Sequence, residues 1–173
     1  MKIYPTIKLV ALFSFLLLTL CFATCKYSTK DTSPIPPEIK TFRVSNFENK
    51  ARYVDPQLAP QLTEKVKQKI ISQTRLRQTN GDDAHYDISG YVSDYSITTS
   101  GVANQNAGTN RINVTFHLVF KNTLDPDPKK SFDADLTSNY DFPASQSLQQ
   151  AQADKGDLIL KTVTDAIFNR IFS

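Results

Sequence analysis

The stretch Arg111-Ile112-Asn113-Val114-Thr115-Phe116-His117-Leu118-Val119-Phe120-Lys121 decides the fold, because its side chains sort by parity. Ile112, Val114, Phe116, Leu118 and Phe120 share one side. Arg111, Asn113, Thr115, His117 and Lys121 share the other, with Val119 the one apolar exception. Successive side chains of a strand point to opposite faces, so this is a strand with one dry face and one wet face. Downstream, Phe132, Ala134, Leu136 and Tyr140 alternate with Asp133, Asp135, Thr137 and Asn139, and upstream Tyr86 to Thr98 carries a looser version. Half-buried strands of this kind suit an antiparallel sheet.

Two helical patterns flank these strands. Leu58, Leu62, Val66 and Ile70 recur every fourth position, with Lys65, Lys67 and Lys69 on the wet side, and Pro60 belongs in the first turn, where its missing N–H costs nothing. From about Gln146 to Phe172, the stripe Ile159, Val163, Ile167 and Ile171 is widened by Leu160, Phe168 and Phe172. Ser147 with Gln150 forms a capping box at its start, and Gly156 is a weak point or bend within it. Ile39 to Val44 is a short β-prone segment before the first helix. Two amphipathic helices and one sheet with a single apolar face predict a two-layer α+β sandwich. Both helices pack on one face of a four-stranded, mostly antiparallel sheet in the order β-α-β-β-β-α.

The N-terminus has a different character. Lys2 and Lys8 precede a run from Leu9 to Thr24 that is apolar apart from Ser14 and Thr19, the layout of a cleaved export signal spanning 1–24. A membrane span needs roughly 20 uninterrupted apolar residues, which this run does not supply. Cys25 follows and is the expected lipid attachment site. Residues 25–37, rich in Ser, Thr and Pro, read as the tether between anchor and domain, and 38–173 as the domain itself. Both cysteines, Cys21 and Cys25, lie at this end, which leaves no thiol elsewhere for a disulfide, a zinc site or a nucleophile.

Setting aside Lys2 and Lys8 leaves 18 basic residues against 17 acidic, a net of +1 rather than +3. The remaining charge is polarised along the chain. Lys26 to Arg77 holds 11 basic and 5 acidic residues, net +6, and Gln78 to Ser173 holds 7 and 12, net −5. Near-neutral charge and export together disfavour nucleic acid as a partner.

The sequence offers little catalytic chemistry. His85 and His117 are the two imidazoles and lack metal-ligand spacing; Asp133 and Asp135 share a strand face without a third ligand; Asp125-Pro126-Asp127-Pro128 reads as a turn. There is no glycine-rich phosphate loop, no Gly-x-Ser-x-Gly and no His-Glu-x-x-His. No catalytic residue, metal site or cofactor is expected. Basic side chains near strand ends suit anion binding, and Arg111, Lys121, Lys129 and Lys130 are the candidates by location.

Several short strings then matter jointly. Cys25-Lys26-Tyr27-Ser28, Pro36-Pro37-Glu38-Ile39-Lys40-Thr41-Phe42, Asn46-Phe47-Glu48-Asn49-Lys50-Ala51 and Ile71-Ser72-Gln73-Thr74-Arg75-Leu76 lie in the first half. Ile88-Ser89-Gly90-Tyr91, Asn110-Arg111-Ile112-Asn113-Val114, Phe120-Lys121-Asn122-Thr123 and Asp165-Ala166-Ile167-Phe168-Asn169 lie in the second. In order and spacing the chain resembles the LptE-type lipopolysaccharide-assembly lipoproteins, in the form found in Bacteroidetes-like bacteria. The resemblance implies a non-enzymatic lipoprotein of the cell outer membrane, anchored at Cys25 and facing the periplasm. It implies as partners an LptD-like outer-membrane β-barrel, which such proteins plug, and lipopolysaccharide. The rival reading is a generic lipid-anchored periplasmic binding or interaction module with no lipopolysaccharide role.

Overall fold

The computed structural model describes residues 35–53, 55–100, 108–127 and 130–173. The expected leader, Cys25, most of the tether and Lys129 lie outside the described residues. The elements run β1 (Thr41–Val44), β2 (Glu48–Asn49), α1 (Leu58–Gln73), β3 (Arg77–Gln78), β4 (Tyr86–Ser100), β5 (Thr109–Asn122), β6 (Phe132–Pro143) and α2 (Leu148–Phe172).

The alternation in β5 is the spine of the core. Ile112, Phe116 and Leu118 are fully buried, and Val114 and Phe120 nearly so. Each such side chain contributes roughly 1.5–3 kcal/mol by leaving water. β5 pairs antiparallel with β4 along one side and with β6 along the other. The looseness of the pattern in β4 has a specific cause. A register shift between Val92 and Asp94 inserts an extra residue, so Tyr86, Ile88 and Val92 face the core at even positions and Tyr95 faces it at an odd one.

The α+β class and both helices agree with the sequence reading, but the sheet differs in detail. It has six strands in the order β3-β1-β4-β5-β6, with β2 pairing β4 beside β1. β1 is parallel to both β3 and β4, so the sheet is mixed, and the expected four strands gain β2 and β3. The reason is the connection: α1 lies between β1 and β4, and a helical crossover returns the chain in the same direction. β2 and β3 are two residues each, too short for any alternation to show. Among the described residues β6 forms the far edge of the sheet and pairs with β5 alone.

In α1, Leu58, Leu62, Val66 and Ile70 are buried, and Pro60 falls in the first turn as expected. Thr74 ends the helix by turning to extended backbone, its hydroxyl and its N–H both donating to the Ile70 carbonyl. In α2, Ser147 and Gln150 form the reciprocal capping box, and the helix runs unbroken through Gly156. Ile159, Leu160, Val163, Ile167 and Phe172 join one core with β1, β4, β5 and α1. Among the described residues the first, Ile35, is already packed, and its carbonyl, with that of Pro36, accepts from the Arg75 guanidinium at 2.7 and 2.8 Å.

Candidate functional site

Both helices cover one face; among the described residues no element packs on the other, open face of the sheet, and its side chains are ordered by bonds across the strands. Beginning at the β1 edge, Arg43 donates from Nε and Nη2 to the two Asp87 oxygens at 3.1 and 2.9 Å and also pairs with Asp82. Those carboxylates raise the guanidinium pKa above its ordinary value, the Asp87 hydrogen bonds being the largest cause. In mid-sheet the Lys50 ammonium lies 4.3 Å above the Tyr91 ring, Tyr91 lies 4.9 Å from the His117 ring, and His117 Nδ1 is 2.7 Å from Asp135. Thr115 and Thr137 share a hydrogen bond of 3.0 Å, and Asn113 donates to Thr98 at 3.2 Å. Arg111 grips Asp141 through Nε and Nη2 at 2.6 and 3.0 Å. That forked hydrogen bond raises the Arg111 pKa and holds the Asp141 carboxyl below its ordinary range.

A second feature lies where α2 ends over the strands. Tyr86, Phe120, Phe132 and Phe172 wall a cleft of about 350 Å³, with Ile35 beside them and Lys130, Arg170 and one carboxylate, Asp125, also lining it. The rings pack edge to face or tilted: Tyr86 on Phe120 at 4.9 Å and Phe120 on Phe132 at 5.2 Å. Burial pushes the Tyr86 phenol up, so it stays neutral. Arg170 holds its guanidinium 4.5 Å above the Phe132 ring, and both Arg170 and Lys130 are exposed. An apolar wall lined also by two cations and one carboxylate suits an amphiphile whose head carries anionic groups.

The structure disperses the candidate cations. Arg111 and Lys121 sit ten residues apart on β5, about 33 Å at a strand's rise, and Arg111 is already committed to Asp141. Lys121 is exposed on the open face opposite Asp87. Of the three candidates among the described residues, Lys130 alone joins the aromatic cleft, while Lys129 and Cys25 lie outside the described residues. Arg170 escaped the sequence reading because a basic residue in a helix's last turn is commonplace there. Its placement between Phe168 and Phe172 was the available signal.

Of the residues weighed for catalysis, His117 and Asp135 meet on the open sheet, and Asp133 is exposed two positions away. None of the three lines the aromatic cleft. Among the described residues no group of three or more His, Cys, Asp or Glu side chains is placed to hold a metal ion. Among the same residues no helix is long and apolar enough to cross a membrane.

Comparison with known proteins bears on identity. Residues 39–173 match the sequence model of a family described as LptE, lipopolysaccharide-assembly. Among solved structures, the chain is similar to a minor lipoprotein from Acinetobacter baumannii at 12% identity and a TM-score of 0.46, covering 77% of this chain and 90% of that one. It is similar to an uncharacterized lipoprotein B from Nitrosomonas europaea at 10% identity and a TM-score of 0.48, covering 79% and 86%. A hypothetical protein from Chlamydia trachomatis matches at 9% identity and a TM-score of 0.48, covering 76% and 95%. No curated protein matches the chain. The family match takes in every element from β1 to α2, and on that ground the chain belongs to the LptE lipopolysaccharide-assembly family.

Proposed function

We propose that this protein is a lipoprotein of the outer membrane, anchored through Cys25 and facing the periplasm. There it partners and plugs an LptD-like β-barrel and assists lipopolysaccharide transport to the surface. The observation that carries this reading is the open sheet face: apart from Val119 and the Tyr91 ring it is largely polar from β1 to β6, and many of its side chains hold one another in place. A barrel lumen is polar, so a plug needs a hydrophilic surface that loses little freedom on docking. An acyl anchor beside the barrel raises the effective concentration of the plug without any added contact.

Within this reading, lipopolysaccharide meets the aromatic cleft at the end of α2. Its phosphates would face Lys130 and Arg170 and its apolar part the ring wall, with Arg111, Lys121 and Lys129 as further candidate contacts. Ile35, within the expected tether, lines the same cleft.

Depleting the protein and assaying surface lipopolysaccharide tests the pathway. Loss of surface lipopolysaccharide is expected, and an intact surface would sink the assembly role. Purification from native outer membranes is expected to bring down a large barrel protein; its absence would favour a lipid-anchored binding module acting alone. Mass spectrometry of the mature N-terminus is expected to find acylated Cys25. Lys130→Glu with Arg170→Gln should weaken lipopolysaccharide binding by about tenfold or more, with the fold retained because both side chains are exposed.

A further inference from the structure

A different groove, of about 220 Å³, opens between the N-terminal parts of α1 and α2. Its polar groups are carboxamides and carboxylates, Gln57, Gln61 and Gln152 with Asp55 and Asp157, set among apolar side chains such as Leu58 and Ile159, and among the described residues no Lys or Arg lines it. Tyr95 lines it too, and Tyr53, 42% exposed, stacks 5.5 Å from Tyr95 beside it. Gln152 ties the two rings together, donating from Nε2 to the Tyr95 hydroxyl at 3.2 Å and accepting from the Tyr53 hydroxyl at 3.3 Å.

The floor of the groove includes Gly156. A glycine inside a helix costs about 1 kcal/mol relative to alanine, and a Cβ at Gly156 would meet nothing within 4 Å. No neighbour requires the glycine for packing. What its missing side chain leaves is open space facing a polar, aromatic-edged groove.

We propose that this groove binds a saccharide. Planar amides and carboxylates can take vicinal hydroxyls two at a time, the exposed tyrosine offers a flat surface to the C–H face of a sugar ring, and the absence of cations in the wall disfavours phosphate. Asp55 and Asp157 favour a sugar bearing an ammonium group over a neutral one. The groove is remote from the cleft holding Lys130 and Arg170: Gly156 and Phe172 are sixteen residues apart on α2, about 24 Å of helix. The proposal therefore stands apart from the reading of that cleft.

Calorimetric titration of the full chain in detergent with a glucosamine trimer, with maltotriose and with inorganic phosphate tests it. Tyrosine emission offers a second readout, since the chain has no tryptophan. Saturable binding of the glucosamine trimer is expected, weaker binding of maltotriose, and none of phosphate. Tyr53→Ala and Gly156→Val should each weaken trimer binding by about tenfold. Tyr53→Ala alters an exposed side chain and keeps the test informative should Gly156→Val fail to fold. Absence of saturable trimer binding up to about 10 mM would overturn the proposal. So would binding that Tyr53→Ala leaves unchanged, because simple attraction of a cationic sugar to surface carboxylates would then account for it.

Discussion

At the scale of single residues, Gly90 carries the tightest constraint. It sits on the core side of β4 between Ile88 and Val92, and an added Cβ would fall 2.4 Å from the His117 carbonyl oxygen and 2.6 Å from the Phe116 ring. Phe116 fills that space and also meets Phe47 edge to face at 4.8 Å. Gly90→Ala should therefore cost about 1–3 kcal/mol, read as a lowered urea midpoint. Tyr140 presents the opposite case: its hydroxyl is buried with no hydrogen-bond partner among the described residues. Tyr140→Phe removes an undischarged desolvation cost and should stabilise by about 1 kcal/mol in the same assay. Asp141 gives a pH prediction. Its carboxyl is held below the ordinary value by Arg111, so the pair's contribution is present above the unfolded aspartate pKa and fades as pH falls through the lower folded one. An NMR titration should find the Asp141 inflection depressed, and Arg111→Ala should return it to the ordinary range. Sequence alone presented Arg111 as a free cation. Its partner is set by the register of β5 on β6, which no local pattern encodes.

At the scale of elements, the parts that were legible are those whose signal is local. The alternation of β5, the fourfold stripe of α1 and the capping box of α2 depend on residues a few positions apart, and each appears where its spacing places it. The parallel pairing of β1 with β4 joins residues 44 positions apart, for instance Phe42 with Tyr86, and nothing within either segment specifies direction. The bulge after Val92 was visible only as a weakened alternation, since changing parity midway blurs a period of two. The aromatic cleft was legible only through Lys130, because its wall gathers Tyr86, Phe120, Phe132 and Phe172 from four elements. Two substitutions probe α2 as an element. Ser147→Ala removes the hydroxyl that accepts from the Gln150 N–H, leaving only the bond from the Ser147 N–H to Gln150, and should cost about 1 kcal/mol. Gly156→Ala meets open space and should return about 0.5–1 kcal/mol of helix propensity. Thermal melts of the two variants should move in opposite directions.

At the scale of the whole molecule, the charge polarity along the chain becomes a polarity across the sheet. The net-positive part of the sequence supplies β1, β2, α1 and β3, and the net-negative part supplies β4, β5, β6 and α2. The strand order then sets β3 at one edge and β6, with exposed Asp133, Asp135 and Asp141, at the other. Among the described residues no strand pairs with the outer side of the twelve-residue β6, and such an edge is a template for another strand. Two copies meeting there antiparallel, centred on Thr137, would set Asp133 directly against Asp141, and like charges directly opposite across a strand pair repel. The edge thus refuses its own kind while remaining available to a strand of opposite charge. Replacing Asp133 and Asp135 by Thr should remove that refusal, and sedimentation of the variant should show self-association rising with concentration where the parent chain stays single.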